Sequence, residues 1–135
     1  MRVAADPGLY RPDDEVPSLC GTRCASCGRV SFPPLSIGCD VCGALEAQLE
    51  PVDLAARGVV HSVVAVHLHH GDVEAPFTIG EILLDSGPLV RAVVSGSLAI
   101  GEPVSAAWTV VRVDENGDDI VEPVFATVRA TAGQV

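Results

Sequence analysis

Two CxxC pairs constrain this chain more than any other feature. The pairs are 11 residues apart, and the second cysteine of each is followed by a glycine, Gly28 or Gly43. Two such knuckles bring four thiolates together, and four thiolates at tetrahedral spacing suit Zn(II). Glycine allows the positive φ that a chain needs where it turns around a metal. The spacing therefore predicts a structural site for about one zinc per chain, with four ligands: Cys24, Cys27, Cys39 and Cys42.

Other uses of these cysteines have to be weighed against zinc. Rubredoxins hold iron with the same ligands, but they are rich in aromatic residues, and here Phe32 alone lies between the pairs. A redox dithiol or free thiols are further alternatives, whereas an odd cysteine count and the lack of a signal-peptide pattern disfavour disulfides. A closed four-thiolate site has no open position for substrate, which makes it structural. The fifth cysteine, Cys20, is interpreted as a small residue packed beside the ribbon, with a reactive thiol or substitute ligand as the alternative.

The charged residues narrow the function classes. All eight basic residues are arginine and the net charge is −10. The lack of lysine excludes Schiff-base chemistry and a lysine general base, and it argues against binding to nucleic acid phosphates. Residues 46–135 carry most of the negative charge, while residues 18–45 carry a net charge of +1. No apolar run approaches the ~18 residues of a membrane span, so we expect a cytoplasmic protein.

The hydrophobic pattern predicts a mainly β chain in three parts. Residues 1–17 are rich in Pro, Asp and Gly and predict an extended arm, residues 18–45 a rubredoxin-like zinc ribbon, and residues 46–135 a β domain. Five strand-like segments follow one another in the last part, at residues 58–69, 77–85, 89–95, 104–113 and 120–129. Five short strands interrupted by glycines favour a small closed barrel of the OB-fold type, with a sandwich as the alternative.

No catalytic residues are predicted. The sequence contains no GxSxG elbow, P-loop or GxGxxG motif. The first strand of the barrel alternates, with one predicted face formed by His61, Val63, Ala65, His67 and His69 and the other by Val60, Val64, Val66 and Leu68. The histidine face is interpreted as exposed or interfacial, with half a metal site or a general base as the alternative. Arg91 either binds a phosphate or carboxylate or pairs with Glu81 of the neighbouring strand.

The order of ribbon and barrel, together with several motifs, resembles a known family. The segments that carry the resemblance are Gly21–Gly28, Val30–Pro34, Cys39–Gly43, Arg57–Ser62, Pro76–Asp85, Ile100–Val104 and Pro123–Phe125. Through them the chain is similar, over roughly residues 19–128, to the bacterial and archaeal zinc-ribbon/OB-fold proteins associated with acyl-CoA enzymes.

This resemblance implies an accessory subunit that is not an enzyme alone. Its partner would be a thiolase-like or lipid-transfer-protein-like enzyme that acts on CoA thioesters as a thiolase, retro-aldolase or acyltransferase. The accessory subunit would stabilise that enzyme and help to shape the CoA and acyl site. Two other functions compete with it: a free-standing acyl-CoA-binding protein and an OB-fold nucleic-acid-binding module.

A docking surface can be predicted from composition. The ribbon is the non-acidic region and offers rigid apolar anchors, whereas the histidine face mixes apolar and polar residues as interfaces do. We expect a thiolase-like dimer to bury one or both surfaces, which gives a two-plus-two heterotetramer. The predicted interface residues are Arg29, Phe32, Pro33, His61 and His67.

Overall fold

A computed structural model describes residues 2–12, 15, 17–67 and 77–128 of the chain. The described residues form ten strands and one 3-10 helix, Glu46–Gln48. The strands are β1 (Arg2–Ala4), β2 (Tyr10–Arg11), β3 (Ser18–Cys24), β4 (Val30–Ser31), β5 (Leu49–Ala55), β6 (Arg57–Val66), β7 (Phe77–Leu84), β8 (Leu89–Val94), β9 (Pro103–Val113) and β10 (Asp119–Thr127).

The last five strands form the predicted closed barrel. Their order around the barrel is β6, β7, β8, β10 and β9, and β9 pairs again with β6. The β8–β10 pair is parallel, at Phe125 and Val94, while the other four pairs are antiparallel. This order, with the last two strands exchanged, is that of an OB-fold, so the predicted fold class is confirmed.

The smaller sheet belongs to the ribbon and extends beyond the predicted boundary. Its central strand, β3, pairs with β2 and β4 and, along all of its length, with β5. We expected the barrel domain to begin at residue 46, but β5 pairs with the ribbon, and the barrel begins at β6. The sequence pattern missed this because β5 is as strand-like as the barrel strands, and its partner lies about 30 residues earlier in the chain.

The arm connects the two sheets. Its first strand, β1, pairs in parallel with β10 of the barrel, and its second, β2, pairs with β3 of the ribbon. Tyr10 is buried and its ring lies 5.8 Å from that of Trp108 on β9. Arg2 lies over the same indole, 5.8 Å from its centroid, within the range of a cation–π contact. The arm was predicted to be extended, and its two strands lie against β10 of the barrel and β3 of the ribbon.

One hydrophobic core joins the arm, the ribbon and the barrel. Leu19 of β3 and Leu54 of β5 belong to the same cluster of buried residues as Ile82 and Phe125 of the barrel. Burying a side chain of this size contributes roughly 1.5–3 kcal/mol. The ribbon sheet is therefore supported by the barrel core as well as by its own metal site.

The predicted alternation of β6 is wrong beyond His61, because a β-bulge interrupts the strand. Val60 lies opposite Ile82, but the ladder resumes only at Ser62, so one residue of β6 has no direct partner. One extra residue moves every later side chain to the other face. Val63 therefore lies on the same face as Val60, and the predicted grouping of Val60 with Val64 and Val66 on one face does not form. The grouped positions 68 and 69 lie outside the described residues.

Gly58 offers a test of the packing between β6 and β7. A Cβ added at this position would overlap the backbone carbonyl of Leu83 on the neighbouring strand. We expect Gly58→Ala to lower the free energy of unfolding by about 1–3 kcal/mol, as overpacking does, measured by urea denaturation. Gly8→Ala is the control, because its added Cβ would meet nothing closer than 3.6 Å. Equal midpoints for the two variants would contradict the close approach of the strands.

Candidate metal centre and partner surface

The four predicted ligands converge on one point. The sulfur atoms of Cys24, Cys27, Cys39 and Cys42 all lie within 4.8 Å of one another. Two of the Sγ–Sγ distances are 3.7 Å, between Cys24 and Cys42, and 3.6 Å, between Cys27 and Cys39. Tetrahedral coordination with Zn–S bonds of about 2.3 Å places the sulfur atoms ~3.8 Å apart. The spacing of the thiols therefore fits a four-coordinate zinc.

The two knuckles have equivalent local structures. In the first, the N–H of Gly28 donates to the carbonyl of Cys24 at 2.8 Å; in the second, the N–H of Gly43 donates to the carbonyl of Cys39 at 3.1 Å. Both glycines have positive φ, 81° and 75°, as the turn requires. Each turn brings its second cysteine back beside its first. This explains why a spacing of two residues is sufficient to place a pair of ligands.

The electrostatics of the cluster favours a bound cation. The N–H groups of Cys42 and Val41 lower the pKa of the Cys39 thiol to about 7, which favours a thiolate. The N–H of Arg29 acts in the same direction on Cys27, but burial and the neighbouring thiols raise the pKa of that thiol to about 12. Four thiols this close do not all ionise unless a cation compensates their charge. A divalent metal supplies that compensation.

An ion pair joins the two knuckles on the outside. Arg29, beside the first knuckle, donates from Nε and Nη2 to the two carboxylate oxygens of Asp40 at 3.2 and 3.4 Å. The Arg29 guanidinium holds the pKa of the Asp40 carboxyl below its usual value. Both side chains are substantially exposed, so this pair contributes little stability. What the pair does show is that the two knuckles lie side by side.

The second knuckle presents large apolar side chains to solvent. Ile37 is 88% exposed, Val41 68% and Leu45 77%, and we call these three residues the knuckle patch. A bridge between Gly38 and Leu45 places Ile37 close to Leu45 in the fold. The loop around a metal is too short to fold these side chains inward, so they remain outside. The patch was not predicted, although the signal was present in the sequence: Val41 lies inside the second CxxC pair, and Ile37 and Leu45 lie on either side of it.

The five predicted interface residues lie in two different sheets or their connections. Arg29 and Pro33 are exposed in the ribbon, whereas Phe32 is half-buried and packs against the core cluster. His61 is exposed at the bulge of β6, and His67 is exposed just beyond the end of that strand. Phe32 is therefore a weaker candidate for direct contact than the sequence indicated.

The two alternatives for Arg91 and the position of Cys20 are resolved by the sheet register. Arg91 on β8 lies directly opposite Glu81 on β7, and its Nη2 is 3.4 Å from a carboxylate oxygen. The same Glu81 accepts a hydrogen bond from Ser62 at 2.7 Å. Cys20 lies in the middle of β3, opposite Asp53, and is not part of the thiol cluster.

Within the described ranges, no helix is both long enough and apolar enough to cross a membrane.

Comparison with known proteins agrees with the ribbon and the barrel. The family model described as ChsH2, rubredoxin-like zinc ribbon domain, matches residues 15–46. A DUF35 domain-containing scaffold protein of Methanocaldococcus jannaschii is 33% identical over 107 residues, which cover 75% of this chain and 73% of the relative. The benzoylsuccinyl-CoA thiolase subunit BbsA of Thauera aromatica is 27% identical over 119 residues, 86% of this chain and 81% of that subunit.

A solved structure shares the fold over most of the chain. The structure described as Ltp2-ChsH2(DUF35) aldolase superposes with a TM-score of 0.63 and 27% sequence identity. The match covers 82% of this chain and 84% of the matched one.

Proposed function

Because the chain belongs to the DUF35 family, we propose that it is a non-catalytic accessory subunit of a thiolase-like acyl-CoA enzyme. The partner would be a thiolase-like or lipid-transfer-protein-like subunit that works as a thiolase, retro-aldolase or acyltransferase. The chain would stabilise this partner and help to shape its CoA and acyl site. One similar protein is named as a subunit of a thiolase and another as part of an aldolase, which supports a role in such complexes.

One observation carries the proposal: the knuckle patch. Its three aliphatic side chains are between 68% and 88% exposed on a loop that a metal bound to the four clustered cysteines would hold in place. Single exposed apolar residues are common on protein surfaces, but a group of them around a rigid turn is typical of an interaction site. Residues 18–45, which hold both knuckles, are also the part of this acidic chain without a negative net charge. An enzyme subunit is the occupant that the names of the related proteins suggest.

The zinc has a structural part in this function. One zinc, held by the four clustered cysteines, would fix both knuckles and so hold the knuckle patch in shape. The ligand set leaves no open coordination position for water or substrate. The chain's own residues would therefore contribute position and surface, while the partner would contribute the reacting groups. Arg29, Pro33, His61 and His67, predicted from the sequence, remain further proposed contacts. Phe32, which is half-buried against the core, would support the ribbon from inside.

Co-expression tests the proposed function directly. The chain is produced together with the thiolase-like or lipid-transfer-protein-like enzyme of the same genome and purified through a tag on this chain alone. We expect the enzyme to co-purify in equal amount, with the mass of a two-plus-two heterotetramer, and the complex to turn over acyl-CoA. The chain alone should give background rates in thiolase, retro-aldolase and thioesterase assays. Failure of the enzyme to co-purify with the tagged chain, or turnover by the isolated chain, would contradict the proposal.

A further inference from the structure

A cleft of about 380 Å³ lies where the arm, the ribbon and the barrel meet. The cleft forms because β1 and β8 pair with different parts of the same edge of β10. β1 pairs with Asp119–Val121 and β8 pairs only at Phe125, so the residues between them border an opening in the barrel wall. The volume is in the range of small-molecule sites, roughly 300–1,000 Å³.

The walls of the cleft are mostly apolar. They combine side chains of the arm, the ribbon and the barrel: Leu9, Leu19, Phe32, Val90, Val93 and Phe125. Val90 and Phe125 are buried members of the core cluster, so the floor of the cleft is the rigid core itself. An apolar group that enters this space removes hydrophobic surface from water on both sides, which favours binding.

Apart from Arg91, the polar side chains that line the cleft are acidic or neutral. Asp6, Tyr10 and Glu122 line it together. Burial, and then the charges of Glu122 and Asp6, raise the pKa of Tyr10 to about 12, so the phenol is neutral and lies within the field of both carboxylates. Burial also raises the pKa of Glu122. Among the described residues that line the cleft, the one basic side chain is Arg91, and its guanidinium is already paired with Glu81 at 3.4 Å.

We propose that this cleft binds an organic cation, an ammonium or guanidinium group carried on an apolar stem. The stem would occupy the apolar walls, and the cation would meet the carboxylates of Asp6 and Glu122. Glu122 is half-buried, and a half-buried carboxylate loses hydration that a bound cation restores, while the exposed Asp6 adds negative charge to the cleft. The same two carboxylates repel phosphates and carboxylates, so the cleft selects against the anionic groups of CoA and of fatty acids. This inference does not depend on the proposed function.

Three probes of equal length separate charge from apolarity. The full-length, zinc-loaded chain is titrated at pH 7 with n-hexylammonium, n-hexanol and n-hexanoate, and binding is followed by ¹H–¹⁵N NMR. We expect n-hexylammonium to shift the amides of Val90–Val93 and Glu122, n-hexanol to bind more weakly at the same residues, and n-hexanoate to leave them unchanged. Equal or tighter binding of n-hexanoate, or shifts confined to other residues, would overturn the proposal.

Matched variants test the carboxylate. We expect Glu122→Gln to weaken n-hexylammonium binding about tenfold, the size of a charge-assisted hydrogen bond. Glu115→Gln is the control: it changes the net charge by the same amount but lies in the exposed turn between β9 and β10, outside the cleft, so this variant should bind like the parent. Asp6→Asn provides a second position, in case Glu122→Gln disturbs β10. If neither cleft variant differs from Glu115→Gln, the carboxylates do not recognise the cation and the proposal fails.

The cation could come from a free amine or from a basic side chain of a partner protein. Adding the purified enzyme subunit to the n-hexylammonium-loaded chain distinguishes these sources. Release of the probe is the result expected if a lysine or arginine of the partner takes its place, whereas retention of the probe in the complex is expected if the natural occupant is a free amine. Both results keep the cation in the cleft, and the probe titration remains the measurement that can overturn it.

Discussion

Cys39→Ser should abolish zinc binding and unfold the ribbon between the two knuckles. Cys39 is a buried member of the thiol cluster, and hydroxyl oxygen is a much poorer zinc ligand than thiolate. Structural zinc contributes about 10–16 kcal/mol of apparent binding free energy in zinc-finger peptides. Whole domains have a stability of only about 5–15 kcal/mol, so we expect the two knuckles to unfold without their metal, while strands β3 and β5 keep the support of the barrel core.

Elemental analysis and hydrogen exchange provide the measurements. We expect about one zinc per chain in the parent and loss of zinc and of amide protection at residues 24–45 in Cys39→Ser. Cys20→Ser is the matched control, because Cys20 lies in β3 outside the cluster and should retain the full zinc content. A folded ribbon that contains iron or no metal would refute the zinc site. Loss of zinc from Cys20→Ser would mean that the ligand set is wrong.

Leu45→Asp, and separately Ile37→Asp, should release the enzyme subunit from the complex while leaving the zinc in place. Both side chains are more than three-quarters exposed in the free chain, so the change costs little stability there. If the knuckle patch is buried in the complex, a carboxylate at its centre loses an apolar contact and is buried without a partner. Such central positions carry losses of 2 kcal/mol or more, which corresponds to ~30-fold weaker binding.

Val113→Asp is the matched control for the patch, since Val113 is 59% exposed at the end of β9, on the barrel. Binding of each variant to the tagged enzyme subunit is measured by surface plasmon resonance, with zinc content checked in parallel. Parent-like affinity for both patch variants would exclude the patch as the docking surface. The same assay then tests His61→Asp and His67→Asp on the barrel.

The role of Arg29 is best probed by the exchanged pair Arg29→Asp with Asp40→Arg, because the single change would place two negative charges together.

The metal ligands could be predicted because a knuckle is a local structure. The turn from Cys24 to Gly28 is closed by one hydrogen bond between residues four apart, and the positive φ at Gly28 needs no distant partner. The strand succession of the barrel could also be predicted, since each strand has its own pattern of apolar residues and its own turn. The pairing of Arg91 with Glu81 follows once β7 and β8 are adjacent.

The remaining features arise from contacts between residues far apart in the chain. The bulge at His61 is a property of the β6–β7 register, and an uninterrupted alternation predicts the wrong face after it. The pairing of β5 with β3, and of β1 with β10, assigns two segments to sheets that composition does not specify. The cleft exists only because β1 and β8 share one edge of β10.

The sequence by itself thus determined the chemistry of the metal site, the fold class and the acidic character of the barrel, because these depend on residue type and short spacing. Tertiary structure alone decided which surfaces are available. It left Ile37 and Leu45 exposed, drew Phe32 against the core, and brought Asp6 and Glu122 to the same cleft. The physical reason is that exposure is set by what packs on a side chain, and here the packing partners come from strands separated by most of the chain's length.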